Sequence, residues 1–181
     1  MKNSLVIRNW SILSSAAALM LLAGGTAPAQ APAGKLRIGV YDSRAIAVAY
    51  ANSTEFRDSL KAVQADYQKA KAAKDDKRVK EIEGRMKLQQ RRAHEQGFSI
   101  ASVAGTMAKI KDALPAVAKK AGVQALVCKW ELNYQSPDVE LVDVTDELVA
   151  LFHVSDKGRE WAKGIQAKPP LPLEQITDDM D

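Results

Sequence analysis

The chain has 181 residues, a formal net charge of +4 and a single cysteine. This length suits one domain, and one cysteine excludes a fold held by internal disulfides. The charge is segregated, because residues 54–121 carry 16 Lys and Arg against 9 Asp and Glu, whereas residues 122–181 carry 5 against 12. The basic segment lacks an aromatic–basic platform, so we expect it to attract anionic partners other than nucleic acid, such as acidic chain segments or lipid head groups. A merely solvated helical face is the alternative.

The first 29 residues have the layout of a secretory signal peptide. Lys2 and Arg8 form a basic start, residues 12–22 form an apolar core, and Ala27-Pro28-Ala29 is a small-x-small cleavage site. We therefore expect cleavage after residue 29 and a soluble protein in the periplasm. An uncleaved membrane anchor is the alternative, although the apolar core is short for a hydrocarbon layer of ~30 Å.

The mature chain is predicted to begin with a strand and a short helix. After an Ala/Pro/Gly linker at residues 30–34, residues 35–42 alternate and place Leu36, Ile38 and Val40 on one face. Ser43 is a plausible N-cap for a helix over residues 44–50, and residues 52–54 offer a second cap before a longer helix.

Residues 54–121 consist largely of strong helix formers, and their apolar residues follow the four–three spacing of a helical face. The three stripes are Phe56, Leu60, Val63, Tyr67 and Ala70; Val79, Ile82 and Met86; and Val103, Met107, Ile110, Leu114, Val117 and Ala121. Nine residues between Ala70 and Val79 turn an ideal helix by about 180°. Either the helix breaks near residues 74–77, or alanines carry a weaker seam through it. A clearer break is predicted at residues 96–99, a kink at Pro115 and a helix end at Gly122.

After Gly122 the period changes from helical to two. The side chains of Leu126, Cys128, Trp130, Leu132 and Tyr134 alternate with polar neighbours, which is typical of a half-buried antiparallel strand. Residues 135–138 read as a turn and residues 139–144 as a third strand. Thr145 is predicted to cap a short helix, and residues 153–181 are predicted to be a loosely attached tail with at most one short helix.

No catalytic constellation is apparent. His94 and His153 lack partners at metal-ligand spacing, and no glycine-rich phosphate loop is present. Cys128 falls on the apolar face of its strand, which favours a buried structural thiol over a nucleophile. The nearby acids Asp146 and Glu147 are explained by compensation of a helix dipole. We therefore predict that the protein is not an enzyme and needs no cofactor or metal.

Three segments together resemble the Skp/OmpH family of periplasmic chaperones. They are the strand LRIGVYD at residues 36–42, the return IKDALPAVAKKAGVQALV at residues 110–127, and DVTDELV at residues 143–149. The resemblance covers residues 35–152. It implies a homotrimer whose strands form a small barrel-like body, with paired-helix arms that enclose unfolded outer-membrane proteins without ATP. The short second arm helix and the long tail depart from that pattern and suggest a divergent branch.

The predicted fold is therefore α+β and mostly helical, with a small antiparallel β body and a long, charged, coiled-coil-like helical arm between the first two strands. The body comprises residues 35–53 and 122–152, and the arm residues 54–121. The leading functional hypothesis is an ATP-independent holdase for outer-membrane proteins. The alternatives are an envelope scaffold or adaptor with the same oligomeric fold, and a hydrolase whose site is not apparent.

The predicted contact residues fall into two sets. Apolar stripes in helices pack against a partner helix or bind clients, and the candidate client contacts are Val79, Ile82, Met86, Phe98, Val103, Met107, Ile110 and Leu114. Oligomer contacts are predicted in the body, at Ile38, Val40, Leu126, Cys128, Trp130 and Leu132.

Overall fold

A computed structural model describes residues 35–176, so the predicted signal peptide and the linker at residues 30–34 lie outside the described residues. The strands are β1 (Leu36–Tyr41), β2 (Ala125–Cys128) and β3 (Val139–Asp143). The helices are α1 (Ser43–Ala51), α2 (Thr54–Ala72), α3 (Asp76–Gly97), α4 (Ala104–Met107), α5 (Leu114–Ala121), α6 (Thr145–Ala150) and α7 (Asp156–Gln166), with 3₁₀ helices at Ala108–Ala113 and Leu173–Gln175. The predicted α+β, mostly helical fold with three strands is confirmed.

The three strands form one parallel sheet in the order β2-β1-β3, so the predicted antiparallel body is wrong. Ile38 of β1 lies opposite Ala125 of β2 on one side and Leu141 of β3 on the other. Parallel neighbours need crossover connections. Helices α1 to α5 connect β1 to β2, and residues 129–138 carry the chain from the end of β2 back to the start of β3. A period of two identifies the faces of a strand but not its direction, and this is why the prediction failed.

Strand β2 ends at Cys128, although the alternating pattern predicted a strand as far as Tyr134. The backbone N–H of Lys129 donates to the carbonyl of Tyr41 at 2.9 Å, and the indole N–H of Trp130 donates to Asp42 at 2.9 Å. The Lys129 bond is the last of the parallel ladder with β1, and a turn in which the N–H of Glu131 donates to the carbonyl of Cys128 at 3.2 Å then ends the strand. Tyr134 is 79% exposed as a result.

The long helix breaks at residues 73–75, which resolves the alternatives left open by the sequence. Lys74 has a φ of 55°, and the side chain of Asp75 caps α3 by accepting a hydrogen bond from the N–H of Arg78. Helix α2 is capped in the same way by Ser53, which accepts from the N–H of Phe56. The two helices therefore form a hairpin, and their lengths of about 28 and 33 Å match.

The third apolar stripe does not belong to one continuous helix. After the predicted break at Gly97, the chain forms α4, a 3₁₀ segment and α5 in succession, so the prediction of a single kinked helix is wrong. Pro115 stands in the first turn of α5, where its missing N–H costs no helical hydrogen bond. Gly122 ends α5 with a φ of 65°, as predicted.

The core lies between α1, the sheet and the helices that follow β3. Ile46 of α1 and Leu148 of α6 are fully buried, and so is Ala162 of α7. Arg44 donates to the carbonyl of Lys168 at 2.7 Å. The expectation of a loosely attached tail is therefore wrong for residues 156–168, because α7 packs against α1 and contributes to the core.

Candidate functional site

The helical hairpin, residues 54–97, is called the arm below. Its helices bury little, since Ala70 is the one buried residue of α2 and Ile82 the one buried residue of α3. All residues from 71 to 77, at the tip, are exposed. The arm is shorter than predicted, because residues 98–121 pack on the body rather than extending from it.

Polar pairs join the two arm helices in the half of the arm nearest its tip. Asp66 of α2 accepts from Arg78 of α3 at 2.7 Å, and the hydroxyl of Tyr67 donates to Glu83 at 3.0 Å. Hydrogen bonds to Asp66 and Glu81 raise the pKa of Arg78. Exposed pairs of this kind contribute little to stability, so we infer that they fix the pairing of the helices more than they stabilise it.

Several apolar side chains of the arm are partly exposed to solvent beside these charges. Leu60 is 39% exposed, Met86 38% and Leu88 38%. Leu60, Val63 and Met86 line one shallow concavity. The arm thus presents apolar patches among cations rather than a continuous apolar face.

A deeper groove lies where the arm joins the body, and it is called the root groove below. It has a volume of about 510 Å³, and α1, α2, α3 and the α4 region all contribute to its wall. Its apolar lining includes Val48, Phe56, Leu88 and Ala93. Tyr50 contacts Phe56 edge to face, with ring centroids 5.3 Å apart.

Cations surround the root groove. Arg85, Arg92 and Lys109 line it, and none of its lining residues is acidic. Lys109 is neutralised by an ion pair with Glu55 at 2.6 Å, and hydrogen bonding to Glu55 and Tyr50 raises the pKa of Lys109. The side chain of Arg92 has no hydrogen bond or ion pair with any residue from 35 to 176. The groove therefore combines an apolar wall with an uncompensated positive charge.

The structure separates the predicted client contacts into three groups. Val103 and Met107 are buried in the body core, and Ile110 and Leu114 pack against that core. Ile82 is fully buried within the arm. Met86 is exposed, and Val79 and Phe98 are half-buried. Of the eight candidates, Val103, Met107 and Ile82 are buried, whereas Met86 is exposed and the other four keep part of their apolar surface accessible, Ile110 and Leu114 on the body among them.

The predicted oligomer contacts lie on opposite faces of the sheet. Leu126 and Cys128 share the face of Gly39, and Leu126 packs against the helical core. Ile38 and Val40 point the other way, and Trp130 and Leu132 lie beyond the sheet in the loop after β2. The alternation within each strand does not show which face of the sheet the helices cover. The sequence therefore could not predict that these residues lie on opposite faces.

The face of Ile38 carries apolar residues that the sequence prediction missed. Val127 lies in register with Val40, Leu141 with Ile38 and Val139 with Leu36. All three are half-buried, and none packs against the helical core. Leu36, on the same face, is 48% exposed. These residues, Leu36, Ile38, Val127, Val139 and Leu141, are called the open sheet face below. Their alternation in β2 and β3 was the signal that could have found them.

The carboxyl end of β1 holds a buried ionic cluster centred on Asp42. Arg44, Lys129 and Trp130 donate to its carboxylate, and the backbone N–H of Asp42 donates to Thr145 Oγ1 at 3.0 Å. Burial raises the pKa of Asp42, but the hydrogen bonds and the charge of Arg44 outweigh it and hold the pKa below its usual range. Thr145 thus serves this cluster and makes no capping hydrogen bond to α6, contrary to the prediction.

Every oxygen of the Asp42 carboxylate has protein donors, which favours a structural role over a catalytic one. Cys128, next to this cluster, is buried and free, as its place on the apolar face predicted. His153 is exposed on a left-handed turn, with a φ of 50°. No group of three or more His, Cys, Asp or Glu that could hold a metal ion occurs among residues 35–176.

No helix within residues 35–176 is both long enough and apolar enough to cross a membrane. Comparisons with protein-family models, with curated proteins and with solved structures found no match.

Proposed function

We propose that the protein is an ATP-independent holdase of the Skp/OmpH type that binds unfolded outer-membrane proteins in the periplasm. The observation that carries the proposal is the arm, a hairpin inserted between β1 and β2 that leaves apolar and basic side chains open on one surface. Helix α3 alone has seven Lys and Arg against four Asp and Glu. A segregated positive surface steers acidic chains at long range, and the apolar side chains retain them at short range.

The composition of the arm suits reversible capture of many sequences. Met86 is flexible and polarizable, and such side chains adapt to differently shaped partners. The apolar patches around Leu60 and Leu88 are separated by charged residues, so each supplies only a small part of the binding free energy. Release then needs no nucleotide, because a client that folds withdraws its apolar segments from these weak sites.

The same proposal includes a homotrimer, supported by the open sheet face. Parallel sheets occur almost only with both faces covered, and within residues 35–176 the helices cover one. The strands β2 and β3 are also edges, each paired on one side. Copies of the chain that pack through Ile38, Val127 and Leu141 would cover the face. A native mass three times that of the mature chain at micromolar concentration is the expected result.

The holdase proposal is tested by shortening the arm. Residues 63–87 are replaced by four Gly and Ser residues, which span the ~8–10 Å between packed helices. The replacement stops short of residue 103, because Val103 and Met107 belong to the body core. An outer-membrane protein is diluted from urea with either form, and aggregation is followed by light scattering. We expect the shortened form to assemble normally and to lose most of its suppression of aggregation.

A full-length chain assayed in rising salt provides a second measurement. Capture should slow, since the Debye length falls to about 3 Å at 1 M salt. If the shortened form protects as well as the full arm, the arm does not carry the activity. If neither form protects at any salt, the scaffold or adaptor function takes its place. The burial of Val103 and Met107 favours that second function, because it leaves the arm fewer exposed apolar side chains than the sequence predicted.

A further inference from the structure

The root groove differs from the shallow concavity at Leu60 and Met86 because it is deeper and because the guanidinium of Arg92, on its wall, has no ion-pair partner among residues 35–176. We propose that it is a docking site for one class of client segment: an unfolded stretch in which an aromatic or branched aliphatic residue is flanked by Asp or Glu. The inference rests on the proposed holdase function and adds the chemistry of the segment that is held.

The apolar part of the segment is argued from the wall. Val48, Phe56, Leu88 and Ala93 surround a volume of about 510 Å³, which is in the range of sites that bury small ligands. Leu88 is 38% exposed there although it stands in the middle of a helix that has few apolar residues. A large apolar side chain in the groove would cover it and would contact the ring of Phe56.

The acidic part of the segment is argued from charge complementarity. Arg92 has no partner among residues 35–176, and Arg85 reaches its acid, Asp66, only at 3.9 Å. Both lie on the groove wall without an acidic neighbour in the lining. A carboxylate beside the docked side chain could form a bidentate pair with Arg92, which is stronger than a neutral hydrogen bond.

A polypeptide fits the polar part of the wall better than an acyl chain does. Gln89 lines the groove, and its side-chain carboxamide has no hydrogen-bond partner within the described range of residues. Its carboxamide can donate to a backbone carbonyl and accept from a backbone N–H at once. The methylene groups of a lipid would leave the donor and the acceptor of this carboxamide unpaired, whereas the backbone of an extended peptide supplies a partner for each.

The groove can be filled without disturbing the core. Gly105 lines it, and a Cβ added at this glycine would have no heavy atom within 4 Å. A Gly105→Phe side chain therefore begins in open space at the groove wall. Gly164→Phe on α7 is the matched control, since a Cβ there is equally free and Gly164 does not line the groove. Arg92→Gln removes the charge and keeps the length and the hydrogen-bonding groups of the side chain.

The experiment measures fluorescence anisotropy of a labelled, blocked peptide that contains Leu-Phe between pairs of Asp, with the full chain at constant concentration. Gly105→Phe is expected to weaken binding at least about tenfold, and Arg92→Gln about three- to fivefold. Gly164→Phe should bind as the unchanged protein does. A peptide with Lys in place of Asp should bind the unchanged protein more weakly, and Arg92→Gln should reduce that difference. Circular dichroism confirms that each variant is folded.

Two results would overturn the inference. One is equal peptide affinity for Gly105→Phe and Gly164→Phe. The other is loss of binding to vesicles of phosphatidylglycerol, but not to the peptide, when the groove is filled, because this identifies a lipid as the occupant. The proposed function is judged separately by aggregation of an outer-membrane protein. Full suppression of aggregation by Gly105→Phe with equal peptide affinity rejects the groove and keeps the holdase, whereas no suppression by the unchanged protein rejects the holdase whatever the peptide does.

Discussion

Substitution of Asp42 by Asn should be among the most destabilising single changes in this chain. The carboxylate is fully buried and receives hydrogen bonds from three residues, Arg44, Lys129 and Trp130. Oδ1 accepts from the Arg44 backbone N–H, the Arg44 Nε and the Trp130 indole, and Oδ2 accepts from Arg44 Nη2 at 2.7 Å and Lys129 Nζ at 3.1 Å. An Asn has the same shape, but its NH₂ group must face donors in either orientation.

The expected loss in the free energy of unfolding follows from the charged side chains that remain buried after Asp42 is replaced. Arg44 is almost as buried as Asp42, with 4% of its side chain exposed, and Lys129 has 22% exposed. Removing one partner of a buried pair costs about 3–5 kcal/mol, because the remaining charge stays desolvated. That is a large part of a typical unfolding free energy of about 5–15 kcal/mol. The effect is therefore easily measured.

Urea unfolding followed by circular dichroism, at one protein concentration, measures the free energy of unfolding and its slope m. Asp58→Asn is the matched control, because Asp58 and its partner Lys61 have 60% and 80% of their side chains exposed. Its expected cost is under about 0.5 kcal/mol. A cost below about 1 kcal/mol for Asp42→Asn at unchanged m would show that the Asp42 cluster contributes little to the free energy of unfolding.

The same variant carries a pH dependence whose sign is fixed. The folded-state pKa of Asp42 is lowered, so its contribution to stability is fully present above the unfolded pKa of about 3.9 and is lost as pH falls through the folded pKa. The difference in unfolding free energy between the unchanged protein and Asp42→Asn should thus be constant near neutral pH and shrink below about pH 4. A difference that grows on acidification would contradict the assigned shift.

Three further substitutions test neighbouring features by the same unfolding measurement. Cys128→Ser should cost about 1–3 kcal/mol, since it places a hydroxyl on a buried apolar face, and rapid reaction of the thiol in the folded state would disprove its burial. Trp130→Phe should cost about 1.5–3 kcal/mol by removing one donor from a buried carboxylate, whereas Trp161→Phe, at a 49% exposed site, should be nearly neutral. Gly122→Ala should cost about 1 kcal/mol or more, because its φ is 65° and a Cβ would lie 2.6 Å from the Arg37 guanidinium; an unchanged midpoint would refute that reading.

The sequence indicated the break between the two arm helices, as one of two alternatives, because local signals determine it, although it extended the arm too far, to residue 121. The half-turn jump between Ala70 and Val79 marked a change of face, and the Lys and Asp residues between them supplied a left-handed residue and an N-cap. Gly122 ended α5 for the same kind of local reason. Such signals depend on a few neighbouring residues, so contacts with distant parts of the chain do not change them.

The predictions that failed concern contacts between distant segments. The stripe from Val103 to Ala121 was read as one helix, but its members share a spacing because all of them face the same core. Three short pieces satisfy that requirement as well as one helix does. Whether β2 and β3 run parallel or antiparallel to β1 likewise depends on the path of the connecting segments, and the residues within the strands do not indicate it.

The root groove could not be assembled from the sequence, although one of its parts was visible. Leu88 and Arg92 are four residues apart and therefore lie on one side of α3. Phe56 was instead assigned to a stripe that continues along α2, because its spacing to Leu60 fits a helical face. Only the fold shows that Phe56 turns towards Tyr50 of α1 and that the start of α2 becomes a wall of the groove.

The open sheet face and the arm, both within the described residues, differ in their chemistry, and each suits one of the two proposed kinds of partner. The open sheet face is made of aliphatic side chains on paired strands, such as Ile38, Val127 and Leu141. A surface of this kind fits the proposed permanent contact between copies of the chain, because permanent interfaces are the more apolar ones. The arm and its groove are interrupted by charges such as Arg92, so a partner must bring both apolar and acidic groups. That requirement gives selectivity at modest affinity, which is what a protein needs if it must hold many chains and release each of them.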